Sequence, residues 1–350
     1  MRAIDIIDSL YKKQEASRED LLWLIENRST DISQALFERA AAVARAHFGK
    51  KIYVRGLIEM TNYCRNDCYY CGIRRSNAAA QRVRLTEEDI MQCCEAGYGL
   101  GFRTFVLQGG EDVYYTDDMM AEIISAIRTK YPDCAITLSL GEKTRESYQR
   151  LYDAGANRYL LRHETATPEH YAKLHPAELS LASRIECLRS LKEIGYQVGC
   201  GSMVGSPYQT LDNIVSDLLF IKSFAPQMVG MGPFIPHHDT PFAHERAGTA
   251  ELTLFLLAIV RLMNPKVLLP ATTALGTIED NGRELGVLAG CNVVMPNLSP
   301  LSVRKKYMLY DNKISTGDEA AEARASLEKR MRAIGYEVVT ERGDYQDLSW

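Results

Sequence analysis

From residue 51 onward, short apolar runs alternate with longer stretches in which apolar residues recur at helical spacing. Apolar runs rich in β-branched residues, separated by helical patterns, are typical of βα units that build a parallel sheet. The predicted strands are 52–60, 104–108, 135–140, 158–162, 197–202, 228–232, 267–271 and 292–295. The predicted helices between them are 86–100, 118–131, 145–154, 181–194, 210–224, 251–263 and 278–288.

Glycines mark the ends of four predicted helices, just before the strand that follows. A glycine in this place supplies the left-handed conformation with which many helices end. These residues are Gly101, Gly155, Gly195 and Gly290. Eight strands that alternate with helices imply a parallel sheet, and their number predicts an α/β fold of the (β/α)8 TIM-barrel type. The alternative is a partial, open (β/α)6 barrel with additional elements.

The whole chain, residues 1–350, is predicted to form one domain built on this barrel. With 350 residues, of which 46% are hydrophobic, it can bury a core of that size. The N-terminal part favours helices, because Ser17 begins a helix-start signature and the segment 40–47 is rich in alanine. The predicted divisions are a helical cap (1–48), the barrel (50–310), and a C-terminal helix and tail (311–350), with the helix at 316–335 and a polar tail from Glu337.

Charge and cysteine content exclude several classes of function. The formal net charge is −4 with acids and bases mixed, so neither a nucleic-acid-binding surface nor a polybasic membrane patch is indicated. The N-terminus lacks the apolar core of a signal peptide, and no apolar run approaches the ~20 residues of a membrane span. Nine cysteines in such a chain indicate a reducing compartment, where cysteine serves as a ligand or in core packing. We therefore predict a cytoplasmic protein.

Cys64, Cys68 and Cys71 follow the first predicted strand, at spacings of four and three residues. The loops after the strands form the active-site face of a barrel, so the three thiols are expected there. Thiolate sulfur is the preferred ligand of iron–sulfur clusters, and three cysteines can hold three corners of a 4Fe–4S cluster while the fourth iron stays open. A structural zinc site is the competing interpretation, but it needs four ligands and no second pair follows at a suitable spacing. Three unrelated loop cysteines are the remaining alternative.

Polar residues also end other predicted strands. In Gly109-Gly110-Glu111-Asp112, the glycine pair lets the backbone approach a ligand closely. A plain turn with a helix-capping acid is the alternative. Arg162 and Glu164 are two residues apart, so both can face the barrel mouth, where a buried arginine favours an anionic partner. A structural ion-pair network is the alternative for this pair.

Two threonines and two methionines are further candidates. Thr272 and Thr273 end the seventh predicted strand, and adjacent hydroxyls there can bind a small anion or a carboxylate. They can equally reflect the strand preference of β-branched residues. Met228 and Met295 can line an apolar pocket, although methionines in such positions usually belong to the core.

The three cysteines and the aromatic Tyr70 form the pattern C-x-x-x-C-x-aromatic-C. In this pattern the chain resembles the radical S-adenosylmethionine (SAM) superfamily. The resemblance implies one 4Fe–4S cluster on the three cysteines, with SAM bound at the open iron and cleaved reductively to a 5′-deoxyadenosyl radical. It also implies that Tyr70 packs near the adenine, that the segment 109–112 meets the amino group of SAM, and that Arg184 reaches its carboxylate.

Longer segments resemble the HydE family of FeFe-hydrogenase maturases, which lies in the biotin synthase-like branch of this superfamily. They span about residues 50–310 and include Leu107-Gln108-Gly109-Gly110-Glu111-Asp112, Tyr159-Leu160-Leu161-Arg162-His163-Glu164-Thr165-Ala166, Gly201-Ser202-Met203-Val204-Gly205 and Pro270-Ala271-Thr272-Thr273-Ala274. The resemblance implies a full barrel with an internal cavity. It also implies a role in assembling the dinuclear iron subcluster of the hydrogenase H-cluster, with a cysteine-derived iron carbonyl–cyanide complex as substrate.

This resemblance also implies site residues and partners. The residues implied to bind SAM are Tyr70, Gln108, Glu111, Glu164, Arg184 and Met228. The residues implied to bind the substrate are Thr137, Arg162, Thr272, Thr273, Met295 and Tyr307. The implied partners are a small-molecule or organometallic substrate, other hydrogenase maturases and a reductant protein.

One departure from the family and two alternatives bear on the prediction. Some HydE proteins carry a second cysteine triad near the C-terminus, whereas no cysteine follows Cys291 here, so we predict a single cluster. The first alternative function is a methylornithine synthase-like radical SAM mutase, whose lysine substrate needs an acidic pocket. The Thr272-Thr273 pair and Arg162 favour an anionic or cysteine-like ligand instead. The second alternative is a non-enzymatic iron–sulfur scaffold, in which the three cysteines alone would suffice.

Overall fold

Parallel strands and helices alternate along the computed structural model, which describes residues 1–314 and 320–345. The strands are β1 Lys51–Val54, β2 Gly56–Thr61, β3 Thr104–Gly109, β4 Ala135–Ser139, β5 Arg158–Leu160, β6 Gln197–Cys200, β7 Met203–Val204, β8 Met228–Val229, β9 Gly232–Pro233, β10 Val293–Val294 and β11 Glu337–Val339. The helices are α1 Arg2–Lys13, α2 Arg18–Glu26, α3 Thr30–Phe48, α4 Glu87–Gly99, α5 Asp117–Lys130, α6 Arg145–Asp153, α7 Pro168–Leu174, α8 Leu181–Ile194, α9 Leu211–Phe224, α10 Ala250–Met263, α11 Thr273–Ile278, α12 Gly282–Leu288, α13 Leu301–Arg304 and α14 Ala320–Ala333. The predicted elements occur in the predicted order; of the final helix predicted at 316–335, residues 316–319 lie outside the described residues.

The strands pair around a complete ring. Six of them form a parallel sheet in the order β2-β3-β4-β5-β6-β8. Beyond β8, single parallel bridges lead through the segment 267–271 to β10. Asn297, just after β10, then pairs in parallel with Leu57 of β2, and the amide of Leu298 donates to the carbonyl of Leu57 at 2.7 Å. The pairing therefore returns to the first strand, which supports the predicted eight-stranded barrel over the open six-stranded alternative.

The strand pairing is interrupted at three places for local reasons. The first predicted strand is split at Arg55, so that β1 pairs with β10 and β11 while β2 pairs with β3. The segment 267–271 makes only single bridges, and its Pro270 lacks the N–H that a continuous ladder requires. The fifth predicted strand, 197–202, is interrupted after β6 at Gly201, where an added Cβ atom would lie 2.0 Å from the carbonyl oxygen of Gly230. Pairing resumes beyond this close approach between β7 and β9.

Helix ends follow the predicted capping chemistry. All four glycines predicted to end helices have a positive φ, between 85° at Gly101 and 118° at Gly155. At the opposite ends, Thr86 and Thr210 cap α4 and α9 through their side-chain oxygens, each in a capping box. The helix predicted at 278–288 is shorter in the structure: α12 begins at Gly282, because the Glu-Asp-Asn sequence before it favours a turn, and the unpredicted short helix α11 precedes that turn.

The N-terminal helices α1, α2 and α3 pack on the outer helical layer of the barrel. α3 contacts α10 and α12, α1 contacts α10, and α2 contacts α9. The contacts bury Leu10, Leu24 and Leu36 completely. Across residues 1–314 and 320–345, the helices all fall short of the combined length and apolarity needed to cross a membrane.

The segment from Glu337, predicted as a polar tail, instead forms a strand and then closes the N-terminal end of the barrel. β11 pairs in parallel with β1. The carbonyl oxygen of Arg342 accepts hydrogen bonds from Thr104 Oγ1 at 2.8 Å and from Arg158 Nη2 at 3.0 Å, at the starts of β3 and β5. Arg158 is completely buried and donates to Asp344 Oδ1 at 2.7 Å. The polar character of this segment is thus explained by partners inside the barrel.

Replacing Asp344 by asparagine removes the charge partner of Arg158. Exposed ion pairs contribute at most about 1 kcal/mol, whereas breaking a buried pair costs about 3–5 kcal/mol. Since the side chain of Asp344 is 34% exposed and that of Arg158 is 0% exposed, we expect a loss of about 2 kcal/mol in the free energy of unfolding, measured by urea denaturation. Asp118→Asn is the control, because its pair with Arg150 is exposed on both sides. Equal losses in the two variants would contradict the closing role of the segment.

Candidate active site

Three free cysteines lie in the loop that follows β2, at the carboxyl ends of the barrel strands. Cys64, Cys68 and Cys71 are each half-buried. Burial raises the pKa of all three thiols, that of Cys71 to about 12. A bound metal stabilises the thiolate form in such surroundings, because its positive charge adds to the partial compensation that Arg82 and Arg184 give the thiolates. The donor set therefore fits an iron–sulfur cluster, as predicted.

The cysteine loop is held in shape by its own charged side chains. Asp67 accepts hydrogen bonds from Arg74 Nε at 2.8 Å, from Arg74 Nη2 at 2.7 Å and from Ser76 Oγ at 2.7 Å. The bonds from Arg74 hold the pKa of Asp67 well below its usual range. Arg82 donates to the carbonyl oxygens of Ile73 and Arg74 at 2.8 and 2.6 Å. These contacts shape the loop through side chains other than the thiols.

The glycine pair after β3 lies directly against this loop. A Cβ atom on Gly110 would be 2.2 Å from the carbonyl oxygen of Tyr63 and 2.8 Å from Cys64 Cβ. The glycine pair was predicted to let the backbone approach a ligand closely. In the structure, the backbone at Gly110 lies close to the cysteine loop itself. A contact of this segment with SAM remains a prediction.

Glu111 braces the cysteine loop with both its backbone and its side chain. Its N–H donates to Cys64 Sγ at 3.4 Å, and its carbonyl oxygen accepts from the N–H of Arg65 at 2.9 Å. Its carboxylate accepts from Arg65 Nε at 3.0 Å and from the N–H of Glu142 at 2.9 Å. Glu111 thus joins the loops that follow β2, β3 and β4, and its predicted role toward SAM is untested.

Arg184, on α8, is ion-paired at the edge of the same site. Its Nε atom lies 2.8 Å from Glu142 Oε1, and Ser183 Oγ donates to Glu142 Oε2 at 2.8 Å. The side chain of Arg184 is 9% exposed, so it presents its charge from a fixed position. The sequence pattern did not single out Glu142, although a carboxylate just after a predicted barrel strand is a signal of a mouth residue.

Glu164 has a backbone conformation that is rare for a residue with a side chain. Its φ is +65°, and its N–H donates to the carbonyl oxygen of Gly201 at 3.0 Å. Glu164 Oε2 lies 3.0 Å from Arg162 Nη2, which brings together two residues that the sequence placed at the mouth. His163 between them is completely buried, with Nε2 at 3.5 Å from Asp217 Oδ1. Strained positions of this kind cost about 1–3 kcal/mol and cluster at functional sites.

Tyr307 and Gln108 meet inside the barrel. Gln108 Nε2 donates to Tyr307 Oη at 3.3 Å. Lys313 Nζ lies 4.9 Å from the centre of the Tyr307 ring, donates to the carbonyl oxygen of Tyr307 at 2.8 Å and forms a buried ion pair with Glu59. Thr137, on β4, is 2% exposed, and its hydroxyl has no hydrogen-bond partner. Inside the barrel, Tyr307 is thus held by Gln108 and Lys313, whereas the hydroxyl of Thr137 is left unpaired by the described residues.

The remaining predicted contacts lie around the same barrel. Thr272 is the N-cap of α11, because its Oγ1 accepts from the N–H of Leu275 at 3.3 Å, and Thr273 is the first residue of that helix. Met295 packs against the apolar cluster that contains Met228. Met228 is 2% exposed and lies deep in the barrel wall. Their roles toward SAM or a substrate remain predictions.

Arg55 is a buried barrel residue that the sequence pattern did not mark as functional. It is 3% exposed, and Nη1 lies 2.9 Å from Met228 Sδ. Its Nε and Nη2 atoms have no hydrogen-bond partner among the described residues, and burial lowers its pKa well below the usual range. The signal that could have found it is an arginine in the middle of the apolar run 52–60.

A second group of metal-ligand atoms lies on the loop after β9. One ligand atom each from His237, His238 and Asp239 lies within 4.8 Å of the others. However, the two imidazole rings are stacked at 4.4 Å with an angle of 16°, so their lone pairs run nearly parallel and do not converge on one ion. The cysteine loop is the better candidate for a metal centre.

The match to known proteins agrees with this geometry. Residues 58–221 match the family model described as the radical SAM superfamily. The chain is 43% identical over 335 residues to the FeFe hydrogenase maturase subunit HydE of Thermotoga maritima, covering 96% of this chain and 95% of that protein. The chain belongs to the radical SAM superfamily and, within it, to the HydE family. A more distant relative of this HydE-family chain is 3-methylornithine synthase of Methanosarcina acetivorans, at 29% identity over 92% of the chain and 90% of the relative.

Solved structures support the same fold for this HydE-family chain. The crystal structure of a methylornithine synthase matches with a TM-score of 0.80 at 25% identity, covering 95% of this chain and 97% of the other. The maturase HydG of Carboxydothermus hydrogenoformans matches with a TM-score of 0.79 at 22% identity, covering 95% and 78%. Together with the ring of parallel strands, these matches confirm the predicted barrel class.

Gly110→Ala tests whether the β3 loop shapes the cysteine loop. The added Cβ must displace the backbone at Tyr63, which is 2.2 Å away, so we expect a loss of about 1–3 kcal/mol in stability. We also expect less iron to be retained after anaerobic reconstitution, measured by iron analysis. Gly99→Ala is the matched control, because nothing lies within 4 Å of its Cβ position and it ends a helix. A Gly110→Ala protein with normal stability and iron content would contradict this role.

Proposed function

We propose that this chain is a radical SAM maturase that helps to assemble the dinuclear iron subcluster of the FeFe-hydrogenase H-cluster. The observation that carries the proposal is the 43% identity to HydE of Thermotoga maritima over 95% of that protein. The free cysteines at the barrel mouth and the unsatisfied polar groups in the barrel support it. The proposed substrate is a cysteine-derived iron carbonyl–cyanide complex, bound inside the barrel.

Cys64, Cys68 and Cys71 are the residues that would hold one 4Fe–4S cluster, with SAM bound beside it. Together these groups supply a 5′-deoxyadenosyl radical through reductive cleavage of SAM. Arg184 and Glu164 offer opposite charges, which suit the carboxylate of SAM on one side and its ammonium or ribose hydroxyls on the other. The other proposed SAM contacts are Tyr70, Gln108, Glu111 and Met228.

The groups without partners inside the barrel favour an anionic or hydrogen-bond-accepting substrate. Arg55 Nε and Nη2, Thr137 Oγ1 and Arg162 Nε lack a hydrogen-bond partner among the described residues. Leaving such donors unsatisfied is costly, so a ligand with acceptor groups is stabilised there. The buried carboxylate Glu59 is already ion-paired with Lys313, and Glu164 is assigned to SAM. A lysine substrate, as in methylornithine formation, would need a free carboxylate for its amine, which makes that alternative less suitable.

The residues proposed to contact the substrate are already oriented by the fold. The hydroxyl of Thr272 accepts the capping hydrogen bond of α11, so its own proton is free to donate to a ligand. Tyr307 is fixed by Gln108 on one side and by Lys313 on the other. Arg162, Thr137, Thr273 and Met295 complete the proposed set. These residues hold and orient the substrate, and the C-terminal segment keeps water from the opposite end of the barrel.

The proposed partners follow from the same assignment. We expect other hydrogenase maturases to deliver or receive the organometallic substrate and a reductant protein to supply electrons. Since no cysteine follows Cys291, we expect a single cluster per chain, and the nine cysteines support a reducing, cytoplasmic location.

Complementation of a host that lacks HydE tests the function directly. We expect the wild-type chain to restore hydrogenase activity, and Cys68→Ala to abolish it, because the cluster loses one of three ligands. The reconstituted wild-type protein is expected to bind about four irons per chain and to cleave SAM under reduction. Cys187→Ala is the control, since Cys187 is also free and half-buried but lies on α8, outside the cysteine loop. Failure to complement, together with methylornithine formation from lysine, would support the alternative enzyme.

Arg162→Leu separates an enzyme from an iron–sulfur scaffold. The variant keeps all three cysteines, so we expect normal iron content and at least a tenfold loss of complementation, about the cost of one charge-assisted hydrogen bond. A scaffold needs only the cysteines. Full complementation by Arg162→Leu would therefore favour the scaffold interpretation.

A further inference from the structure

Tyr70, in the cysteine loop, is anchored by a histidine that the proposed site does not include. Tyr70 Oη lies 3.1 Å from His175 Nε2, and the two rings meet edge-on at 5.4 Å. His175 follows α7, a short helix that the sequence pattern did not predict, and it is 1% exposed. A residue outside the loop therefore holds the hydroxyl of the aromatic residue within it.

The direction of this hydrogen bond follows from the other nitrogen of the ring. His175 Nδ1 lies 2.9 Å from the carbonyl oxygen of Tyr171, which can only accept, so Nδ1 carries the proton. In the neutral ring, Nε2 is then an acceptor, and Tyr70 Oη donates to it. Burial lowers the pKa of His175 to about 4, so the neutral ring is the form present near neutral pH. Both nitrogens are thus satisfied in one fixed tautomer.

Tyr171 extends this arrangement toward Arg184. The ring of Tyr171 stacks on His175 at 3.9 Å with an angle of 19°. Arg184 lies near the Tyr171 phenol, since its charge opposes the rise that burial causes in the pKa of Tyr171. The rings of Tyr70, His175 and Tyr171 thus lead from the cysteine loop toward the cation proposed to hold the SAM carboxylate.

We infer that His175 is a positioning residue for SAM, which fixes the ring of Tyr70 in the orientation that receives the adenine. The inference rests on the proposed binding of SAM at the cysteine loop. What distinguishes His175 from a histidine that merely fills the core is that its Nε2 pairs with the aromatic residue of the cysteine loop. The other buried histidine of this region, His170, is also paired through both nitrogens, but among the described residues its partners are Thr165, Ser206 and the carbonyl oxygen of Pro207.

A double-mutant cycle on the anaerobically reconstituted protein tests the inference. The measurements are the affinity for SAM without reductant, the iron content, and the electron paramagnetic resonance spectrum of the reduced cluster with SAM. Tyr70→Phe and His175→Phe are each expected to weaken SAM binding about fivefold, the cost of one hydrogen bond. The double variant is expected to bind no more weakly than either single one, since all three lack the same bond. Iron content is expected to be unchanged throughout.

Two further variants separate positioning from simple damage to α7. His175→Gln keeps an acceptor for Tyr70 and is expected to bind SAM within about twofold of the wild type. If His175→Phe does not fold, His175→Gln takes its place in the double-mutant cycle and is combined with Tyr70→Phe. His170→Phe is the matched control, expected to lower the melting temperature while leaving SAM affinity and the spectrum nearly unchanged.

Several outcomes would overturn the inference. These are normal SAM affinity in Tyr70→Phe or His175→Phe, additive losses in the double variant, or an equal loss in His170→Phe. If the wild-type protein assembles its cluster but does not bind SAM, the proposed function itself fails, and this result is distinct from a failure of His175 alone.

Discussion

Most buried charges in this barrel are paired, and the structure depends on that pairing at both ends. At the N-terminal end, Arg158 is completely buried and is neutralised by Asp344. Along the wall, Glu59 is completely buried and pairs with Lys313. Because an unpaired buried charge costs several kcal/mol, each pair restricts where its two segments can lie. The last described residues of the chain are thereby tied to the first strands of the barrel.

The barrel contains both paired and unpaired buried polar groups. At the mouth, the carboxylates of Asp67, Glu111 and Glu142 are used to brace loops. Deeper in the barrel, two nitrogen atoms of Arg55 and the hydroxyl of Thr137 lack a hydrogen-bond partner among the described residues. Arg283 and Tyr336 also have unpaired buried atoms, and what distinguishes Arg55 and Thr137 is their place in the barrel interior, where a ligand with acceptor groups would pair with them. This reasoning connects the cysteine loop to the interior below it.

Much of this architecture was predictable from local sequence patterns, and the remainder depends on contacts between distant segments. The eight strands and the glycines that end helices follow from periodicity and backbone conformation, which are local properties. The family and the cysteine loop were predictable because Cys64, Cys68 and Cys71 lie within eight residues. By contrast, the segment after Glu337 reads as a polar tail, since its partners Thr104 and Arg158 are far away in the sequence. Arg55 and Glu142 carried a local signal, an arginine within an apolar run and an acid after a predicted strand, but their roles depend, like that of His175, on the residues they face.

The strained conformation of Glu164 links the pairing rule to the proposed chemistry. A glycine at φ +65° would avoid the strain, but it would remove the carboxylate that lies 3.0 Å from Arg162. The buried His163–Asp217 pair lies on the opposite side of the same strand end, and Asp217 also accepts from the N–H of Ala166 at 2.5 Å. These contacts fix the turn on the side away from the Glu164 carboxylate. Glu164 thus keeps its charged side chain in a backbone conformation that residues with a side chain disfavour. Natural sequences break such local rules mainly at functional sites, so the conformation of Glu164 is an argument, independent of sequence similarity, for a functional site at the mouth of the barrel.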